Sequence, residues 1–134
     1  LKSGEHTGYL TSASFLCWYA GIGDEGMLDL LKNTLQNTLY PIPSLDKNSS
    51  EFDGLRYWRG PTWPILNALI GLGLSDMDHE KEAEIIRSRT RELISRHGFA
   101  EYFDPITGIP GGGKAFSWTA AVWLAWASPS VGAK

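Results

Sequence analysis

The chain has little that would hold it to a nucleic acid or to a membrane. Its 12 lysine and arginine residues are outnumbered by 15 aspartate and glutamate residues, and they are scattered along the chain. A partner bound through phosphate contacts is therefore disfavoured. The longest apolar run lies near the C-terminus and falls far short of the roughly 20 residues that a bilayer span requires. We expect no nucleic-acid partner and no membrane partner.

Cysteine and histidine are scarce as well. The single cysteine, Cys17, cannot form an internal disulfide, and its apolar neighbours predict a buried, unreactive thiol. One cysteine does not decide the cellular compartment of the protein, for which the cytoplasm is favoured. The histidines, His6, His79 and His97, lie too far apart and in settings too different for a metal-ligand set. We therefore expect neither a metal nor a cofactor.

Apolar sequence is sufficient for a core. The 134 residues are 43% hydrophobic and 20% charged, which is typical of one soluble globular domain at most. Because the first residue, Leu1, is not an initiator methionine, we expect the chain to be a piece of a longer polypeptide.

Helical periodicity dominates the chain, and no β-pattern of comparable strength accompanies it. Capping residues and glycine or proline breaks bound each predicted helix. The predicted helices are residues 11–20, capped by Thr11 or Ser12; a helix capped by Asp24 that ends near Asn37; a buried helix from Pro61 or Thr62 to about Leu74; an amphipathic helix from Asp78 to about His97; and a last helix capped by Ser117 that runs through Trp126. This series predicts an all-α fold of antiparallel helix hairpins.

Two long loops, at 40–60 and 98–114, each precede a helix rich in aromatic or apolar residues. Loops of that length in compact domains are usually functional. Because every second connection of stacked hairpins lies on one face, we expect the two loops to meet over a shared cavity.

Three ordered motifs carry a resemblance to a known family. They read RYWRGPTWPILN at 56–67, GFAEYFDPITG at 98–108 and AFSWTAAVWL at 115–124, preceded by the similar TGYLTSASFL and YPIPSLDKNSSEFD. In these motifs the chain resembles the C-terminal part of glycoside hydrolase family 63 and its mannosylglycerate-hydrolase-like relatives. The resemblance implies an (α/α) toroid of six helix hairpins, with residues 1–134 as the C-terminal segment of its catalytic domain. It also implies hydrolysis of glycosidic bonds with inversion by two carboxylic acids.

By that resemblance, Glu101 matches the position of the general base, and the general acid, an aspartate, lies upstream of this chain. The sequence pattern alone also fits an ordinary solvated loop carboxylate at this position. We expect Phe99, Tyr102 and Phe103 to form an aromatic wall that removes Glu101 from part of its water. The neighbouring Asp104 precedes a proline and is predicted to cap a turn.

Aromatic and arginine side chains are suited to saccharides, because rings stack on apolar C–H faces and a planar guanidinium donates to hydroxyls. The Trp63 ring, one residue before a helix-start proline, fits a core position equally well. In the last helix, Trp123 and Trp126 are predicted to be core. The predicted substrate contacts are Tyr57, Trp58, Arg59, Trp63 and Trp118.

A glycine run at 111–113, followed by Lys114, lacks the spacing of a phosphate-binding loop and any preceding strand, so we interpret it as a flexible loop.

The sequence thus predicts a hydrolase of carbohydrate metabolism that acts on a small saccharide or glycoside. The expected activity is of the α-glucosidase or mannosylglycerate-hydrolase type, with the rest of the toroid upstream. One alternative is a noncatalytic carbohydrate-binding or interaction module, in which Glu101 only hydrogen-bonds a hydroxyl. The other is a fragment of a trehalase-like or debranching enzyme.

Overall fold

The structure is a computed structural model that describes residues 7–130, and most of its regular structure is helical. A two-stranded antiparallel sheet lies within the loop between the last two α-helices. Within the described residues, no helix combines the length and apolarity of a membrane span. The elements are a 3-10 helix (Ser12–Cys17), α1 (Glu25–Asn37), α2 (Pro64–Asp76), α3 (Glu80–His97), β1 (Tyr102–Phe103), β2 (Pro110–Gly111), α4 (Ser117–Val122) and a π-helical turn (Trp123–Ala127).

Local hydrogen bonds fix the first two helix starts near their predicted positions. At the first, the Thr11 backbone N–H donates to Ser14 Oγ at 3.3 Å, and the helix that follows is the tighter 3-10 form. At α1, Asp24 Oδ1 accepts from the Met27 backbone N–H at 2.8 Å, which confirms the predicted cap.

The α2 helix begins later than predicted, at Pro64. Residue Thr62 is extended instead, because its N–H donates to the Phe103 carbonyl at 2.7 Å and its carbonyl accepts from the Phe103 N–H at 3.0 Å. The proline therefore occupies the first helical turn, where its missing N–H would have no helical partner. The predicted burial of α2 is confirmed, since Ile70 and Leu74 are inaccessible to solvent.

The predicted cap of the last helix is wrong. The N-cap of α4 is Phe116, and Ser117 is the first helical residue, with no side-chain hydrogen bond at the cap. The reason is tertiary: the Phe116 N–H donates to the Phe99 carbonyl at 2.8 Å, which keeps Phe116 in the extended loop. Residue Trp126 is in the core, as predicted. Trp123, also predicted to be core, packs against the core cluster and remains partly exposed.

The helices α2 and α3 form the centre of the core, and a buried amide ties them to the preceding loop. The side chain of Asn67 on α2 accepts from the Ile42 N–H at 2.9 Å and donates to the Pro41 carbonyl at 2.6 Å and to Thr90 Oγ1 on α3 at 2.9 Å. Every side-chain polar atom of Asn67 is thus paired away from water.

At the edge of this core, burial raises the pKa of the Cys17 thiol, which keeps it protonated near neutral pH.

The two long loops contact each other, which bears out one part of the prediction that they meet over a shared cavity. The Tyr40 N–H donates to the Pro105 carbonyl at 2.9 Å, and Thr62 Oγ1 donates to the Tyr40 carbonyl at 2.6 Å. Together with the Thr62–Phe103 pairing, these bonds attach the start of the first loop, at Tyr40, and the residue pair that follows it, at Thr62, to the middle of the second loop. Residues that are distant in sequence are therefore brought to one face of the helices.

Candidate active site

The segment at 53–60 is a compact loop that is closed by backbone hydrogen bonds. The Asp53 N–H donates to the Arg59 carbonyl at 2.9 Å, and the Gly60 N–H donates to Ser44 Oγ at 2.9 Å. The Asp53 carbonyl also occupies the space that a Cβ atom at Gly60 would require. The loop is thereby held against buried Ser44, so the side chains it carries have a firm base.

Four rings, carried by this loop, by the N-cap of α2 and by β1, form an aromatic platform: Tyr57, Trp58, Trp63 and Tyr102. The Trp58 and Trp63 rings are stacked, with centroids 4.2 Å apart and an interplanar angle of 8°. The Tyr57 ring meets Trp63 edge-on at 5.0 Å and Tyr102 edge-on at 5.7 Å. The buried member is Trp63, whereas Trp58 and Tyr57 are 49% and 50% exposed. The platform therefore presents aromatic surface to solvent from a fixed support.

The backbone of Tyr57 is left-handed, with φ of 39°, a region that bulky residues rarely adopt. Its carbonyl accepts from Trp63 Nε1 at 3.1 Å, so the buried indole holds the peptide in this conformation. Strained backbone of this kind occurs at functional sites more often than elsewhere.

The Glu101 carboxylate lies beside the platform, with a hydrogen-bond donor at each oxygen. The Tyr57 hydroxyl donates to Oε1 at 3.4 Å, and the Gly113 N–H donates to Oε2 at 3.3 Å. The Glu101 N–H in turn donates to the Gly113 carbonyl at 2.9 Å. The side chain is partly buried, so the carboxylate remains open to a small molecule.

The expected aromatic wall around Glu101 is wrong in two of its three members. Alternation along the extended chain directs Phe103 into the core, where it is inaccessible, and Phe99 packs edge-on against Trp123 at 6.4 Å. The third member, Tyr102, does belong to the platform. The ring that contacts the carboxylate is Tyr57, which sequence reasoning assigned to substrate alone.

The surroundings of the Tyr57 phenol, Glu101 among them, shift its pKa. Partial desolvation first, and then the negative charge and hydrogen bond of Glu101, raise the pKa of Tyr57 above its ordinary value. The hydroxyl therefore stays protonated across the neutral range and remains available as a donor to the carboxylate.

Arg59 directly follows Trp58 in the loop at 53–60. Its Nη1 atom is 3.7 Å from Glu51 Oε2, and both side chains are about half exposed. An open cleft of about 240 Å³ adjoins them. Its lining residues are Tyr9, Thr11, Leu45, Glu51, Trp58 and Arg59. The predicted pair of Trp58 and Arg59 thus shares one concave surface.

Two other predictions from the sequence have different outcomes. Asp104 Oδ1 accepts from the backbone N–H groups of Ile106 and Thr107, each at 2.8 Å, which confirms its role as a turn cap. The Trp118 ring, 55% exposed at the start of α4, contacts Phe116 at 5.7 Å. Among the described ring contacts, none joins Trp118 to the aromatic platform.

In the part of the chain from residue 7 to residue 130, no group of three or more His, Cys, Asp or Glu side chains is arranged to hold a metal ion. Residue His6 lies outside the described residues.

A carboxylate beside an exposed aromatic platform is typical of proteins that bind saccharides, a class that includes the glycoside hydrolases. Within that class, the chain belongs to the family described as the mannosylglycerate hydrolase MGH1-like glycoside hydrolase domain, whose family model matches residues 1–119.

Characterised relatives agree with this membership. Mannosylglycerate hydrolase MGH1 of Selaginella moellendorffii is 40% identical over 120 residues, which cover 87% of this chain and 25% of the relative. The mannosylglycerate hydrolase of Thermus thermophilus is 38% identical over 130 residues, which cover 94% of this chain and 31% of the relative.

A crystal structure of the GH63 mannosylglycerate hydrolase from Thermus thermophilus in complex with glucose superposes with a TM-score of 0.82 at 37% identity. The match covers 91% of this chain and 32% of that one. The predicted fold class is confirmed: the chain is mostly helical and its structural neighbours are GH63 (α/α) toroid proteins. This chain spans about a quarter to a third of the length of these relatives.

Proposed function

We propose that the complete protein is an inverting glycoside hydrolase and that residues 1–134 are the C-terminal segment of its toroidal catalytic domain. In this proposal Glu101 is the general base. The observation that carries it is the position of the Glu101 carboxylate, which lies beside the aromatic platform with a donor at each oxygen. The membership in a glycoside hydrolase family supports it.

An inverting glycosidase needs a base that activates water on one face of the sugar and an acid that protonates the leaving group on the other. Glu101 suits the first role, because Tyr57 and Gly113 fix its orientation while the side chain remains accessible. The acid, an aspartate by the family resemblance, is proposed to lie in the portion that precedes this chain. The two carboxyl groups would then be about 6.5–9.5 Å apart, which leaves room for the water.

The exposed platform is the proposed sugar-binding surface. Rings of Trp58 and Tyr57 offer stacking faces, Arg59 offers a guanidinium to hydroxyl or carboxylate oxygens, and Trp63 acts as the buried support of Trp58. The Trp118 ring stays a predicted contact, presented at the start of α4.

The proposed substrate is a glycoside of a small acid. Relatives of this chain are named mannosylglycerate hydrolases, and a glucosylglycerate hydrolase of Mycolicibacterium hassiacum is 39% identical over 85 residues. Another structure of the Thermus thermophilus enzyme, in complex with Tris and D-glycerate, superposes with a TM-score of 0.81. A guanidinium such as that of Arg59 is suited to a glycerate carboxylate, because its planar fork can donate two hydrogen bonds.

The test is Glu101→Gln in the complete protein. The amide keeps the size of the side chain and removes its basicity, so kcat should fall by about 10²–10⁴-fold with KM little changed. A matched control is Glu92→Gln, which alters an exposed carboxylate on α3 that pairs with Arg96 at 2.9 Å. Proton NMR of the first-formed sugar should show the inverted anomer.

Near-normal turnover of Glu101→Gln would remove this residue from the mechanism. If the complete protein binds glycosides and hydrolyses none, a noncatalytic binding module would replace the proposal.

A further inference from the structure

The glycine run at 111–113 packs against Glu101. Two hydrogen bonds join Glu101 and Gly113: the Glu101 backbone N–H donates to the Gly113 carbonyl, and the Gly113 backbone N–H donates to the Glu101 side-chain carboxylate. Gly112, directly before Gly113, adopts φ of 69°, in the left-handed region that favours glycine.

No side chain fits at Gly112 while the carboxylate stays in place. A Cβ atom there would meet Glu101 Oε2, and it would lie 2.7 Å from Glu101 Cβ and 3.0 Å from Glu101 Cδ. By contrast, Gly21 has the same φ of 69°, and a Cβ atom there would have nothing within 4 Å. Left-handed backbone and close approach therefore coincide at Gly112, and only the first of these occurs at Gly21.

On the other side of the carboxylate, the Tyr57 hydroxyl donates to Oε1. The donor loops are independent, since one precedes α2 and the other precedes α4. A glutamate side chain has three rotatable bonds, so without such contacts its oxygens would sample many positions.

The geometry points to the Gly112–Gly113 turn as a positioning element for the Glu101 carboxylate, with Tyr57 as its counterpart on the opposite oxygen. The proposal rests on the role of Glu101 as general base. A base works only within hydrogen-bond reach of its water, and a misplacement of about 1 Å can lower a rate by about 10²-fold. Because Gly112 has no side chain, the turn leaves room for the Glu101 carboxylate and so determines where its oxygens lie.

The experiment compares Gly112→Ala with Gly21→Ala in the complete protein. Both variants place alanine at the same φ, so both carry the same backbone strain, but only Gly112→Ala displaces Glu101. We expect kcat of Gly112→Ala to fall by about 10–10²-fold with KM within about twofold of the wild type. Gly21→Ala should keep wild-type kcat.

A second readout does not depend on activity. Partial desolvation first, and then the charge and hydrogen bond of Glu101, raise the pKa of Tyr57, so displacement of Glu101 should lower that pKa by removing the second contribution. The titration can be followed by NMR of tyrosine labelled with carbon-13 at Cζ, with Tyr57→Phe to assign the resonance. Gly112→Ala should lower the titration midpoint, and Gly21→Ala should leave it unchanged.

These outcomes separate the positioning role from the proposed function. If Glu101→Gln abolishes turnover while Gly112→Ala alters neither kcat nor the Tyr57 midpoint, the positioning role is wrong and the base assignment stands. If Glu101→Gln retains turnover while Gly112→Ala lowers the midpoint, the base assignment fails and the turn still positions the carboxylate. Should alanine at 112 prevent folding, Gly112→Asn and Gly21→Asn repeat the comparison, because asparagine tolerates the left-handed region.

Discussion

Trp58 lies flat against Trp63, with ring centroids 4.2 Å apart and planes inclined by 8°. Solvent reaches 49% of the outer residue and only 2% of the inner one. The inner indole also donates to the Tyr57 carbonyl at 3.1 Å. One ring of the pair is therefore exposed on the surface that we propose for the sugar, and the other is its buried support.

Replacing the two rings separately should distinguish an effect on substrate binding from an effect on the free energy of unfolding. Trp58→Ala removes a half-exposed ring, so we expect the free energy of unfolding to fall by about 1–2 kcal/mol. Its KM should rise about tenfold, the factor that corresponds to a lost contact of about 1.4 kcal/mol. Trp63→Ala leaves a buried cavity and should cost about 3–5 kcal/mol. Steady-state kinetics and thermal unfolding check both variants; a larger loss of stability from Trp58→Ala than from Trp63→Ala would contradict the division.

The Arg59 guanidinium is predicted to act by its shape. Its pairing with Glu51 at 3.7 Å is half exposed and contributes about 0–1 kcal/mol, so Arg59→Lys should change stability by less than about 0.5 kcal/mol. Lysine keeps the charge but loses the planar fork, and kcat/KM should fall about tenfold. The matched control is Arg56→Lys, an exposed arginine of the same loop. Unchanged kinetics for Arg59→Lys would make this residue structural.

Helix positions were predictable from the sequence because their signals are local. The Asp24 cap and the burial of the apolar helix α2 follow from residues within a few positions of one another. The start of α2 and the cap of α4 were wrong, because backbone bonds to Phe103 and Phe99 keep Thr62 and Phe116 extended. Such bonds join distant segments, and a local pattern contains no information about them.

The same limit applies to the site residues, whose contacts also join distant segments. The motif resemblance pointed to Glu101, and the chemistry of aromatic rings pointed to Tyr57, Trp58 and Trp63 as candidate site residues. The contact between Glu101 and Tyr57, however, spans 44 positions of sequence. Periodicity cannot reveal such a pair. The spatial requirement at Gly112 was likewise invisible, because it depends on where the Glu101 side chain lies. Sequence reasoning therefore named Glu101 as a candidate base and missed the groups that contact its carboxylate.

The buried amide of Asn67 should be among the costliest polar groups to remove. Asn67→Ala would leave the Ile42 N–H, the Pro41 carbonyl and part of the bonding of Thr90 Oγ1 without partners, away from water. At about 1–3 kcal/mol for each unpaired buried group, we expect a loss of about 3–5 kcal/mol. The control, Thr90→Val, removes one partner and should cost less. Urea unfolding measures both; equal losses would show that the loop contacts of Asn67 contribute nothing.

The stability of the protein at alkaline pH should depend on Tyr57. Its pKa is raised in the folded state, by partial desolvation and then by Glu101, so folding favours the neutral phenol. This contribution is fully present below the ordinary tyrosine pKa, and it is lost as pH rises through the raised value, because the unfolded chain ionises first. Phenylalanine cannot ionise, so the melting temperature of Tyr57→Phe should decline less steeply than that of the wild type over this alkaline range. Glu101→Gln should fall between them, since it removes the charge and leaves the desolvation. Parallel wild-type and Tyr57→Phe curves would mean that folding does not raise the pKa of Tyr57 in solution.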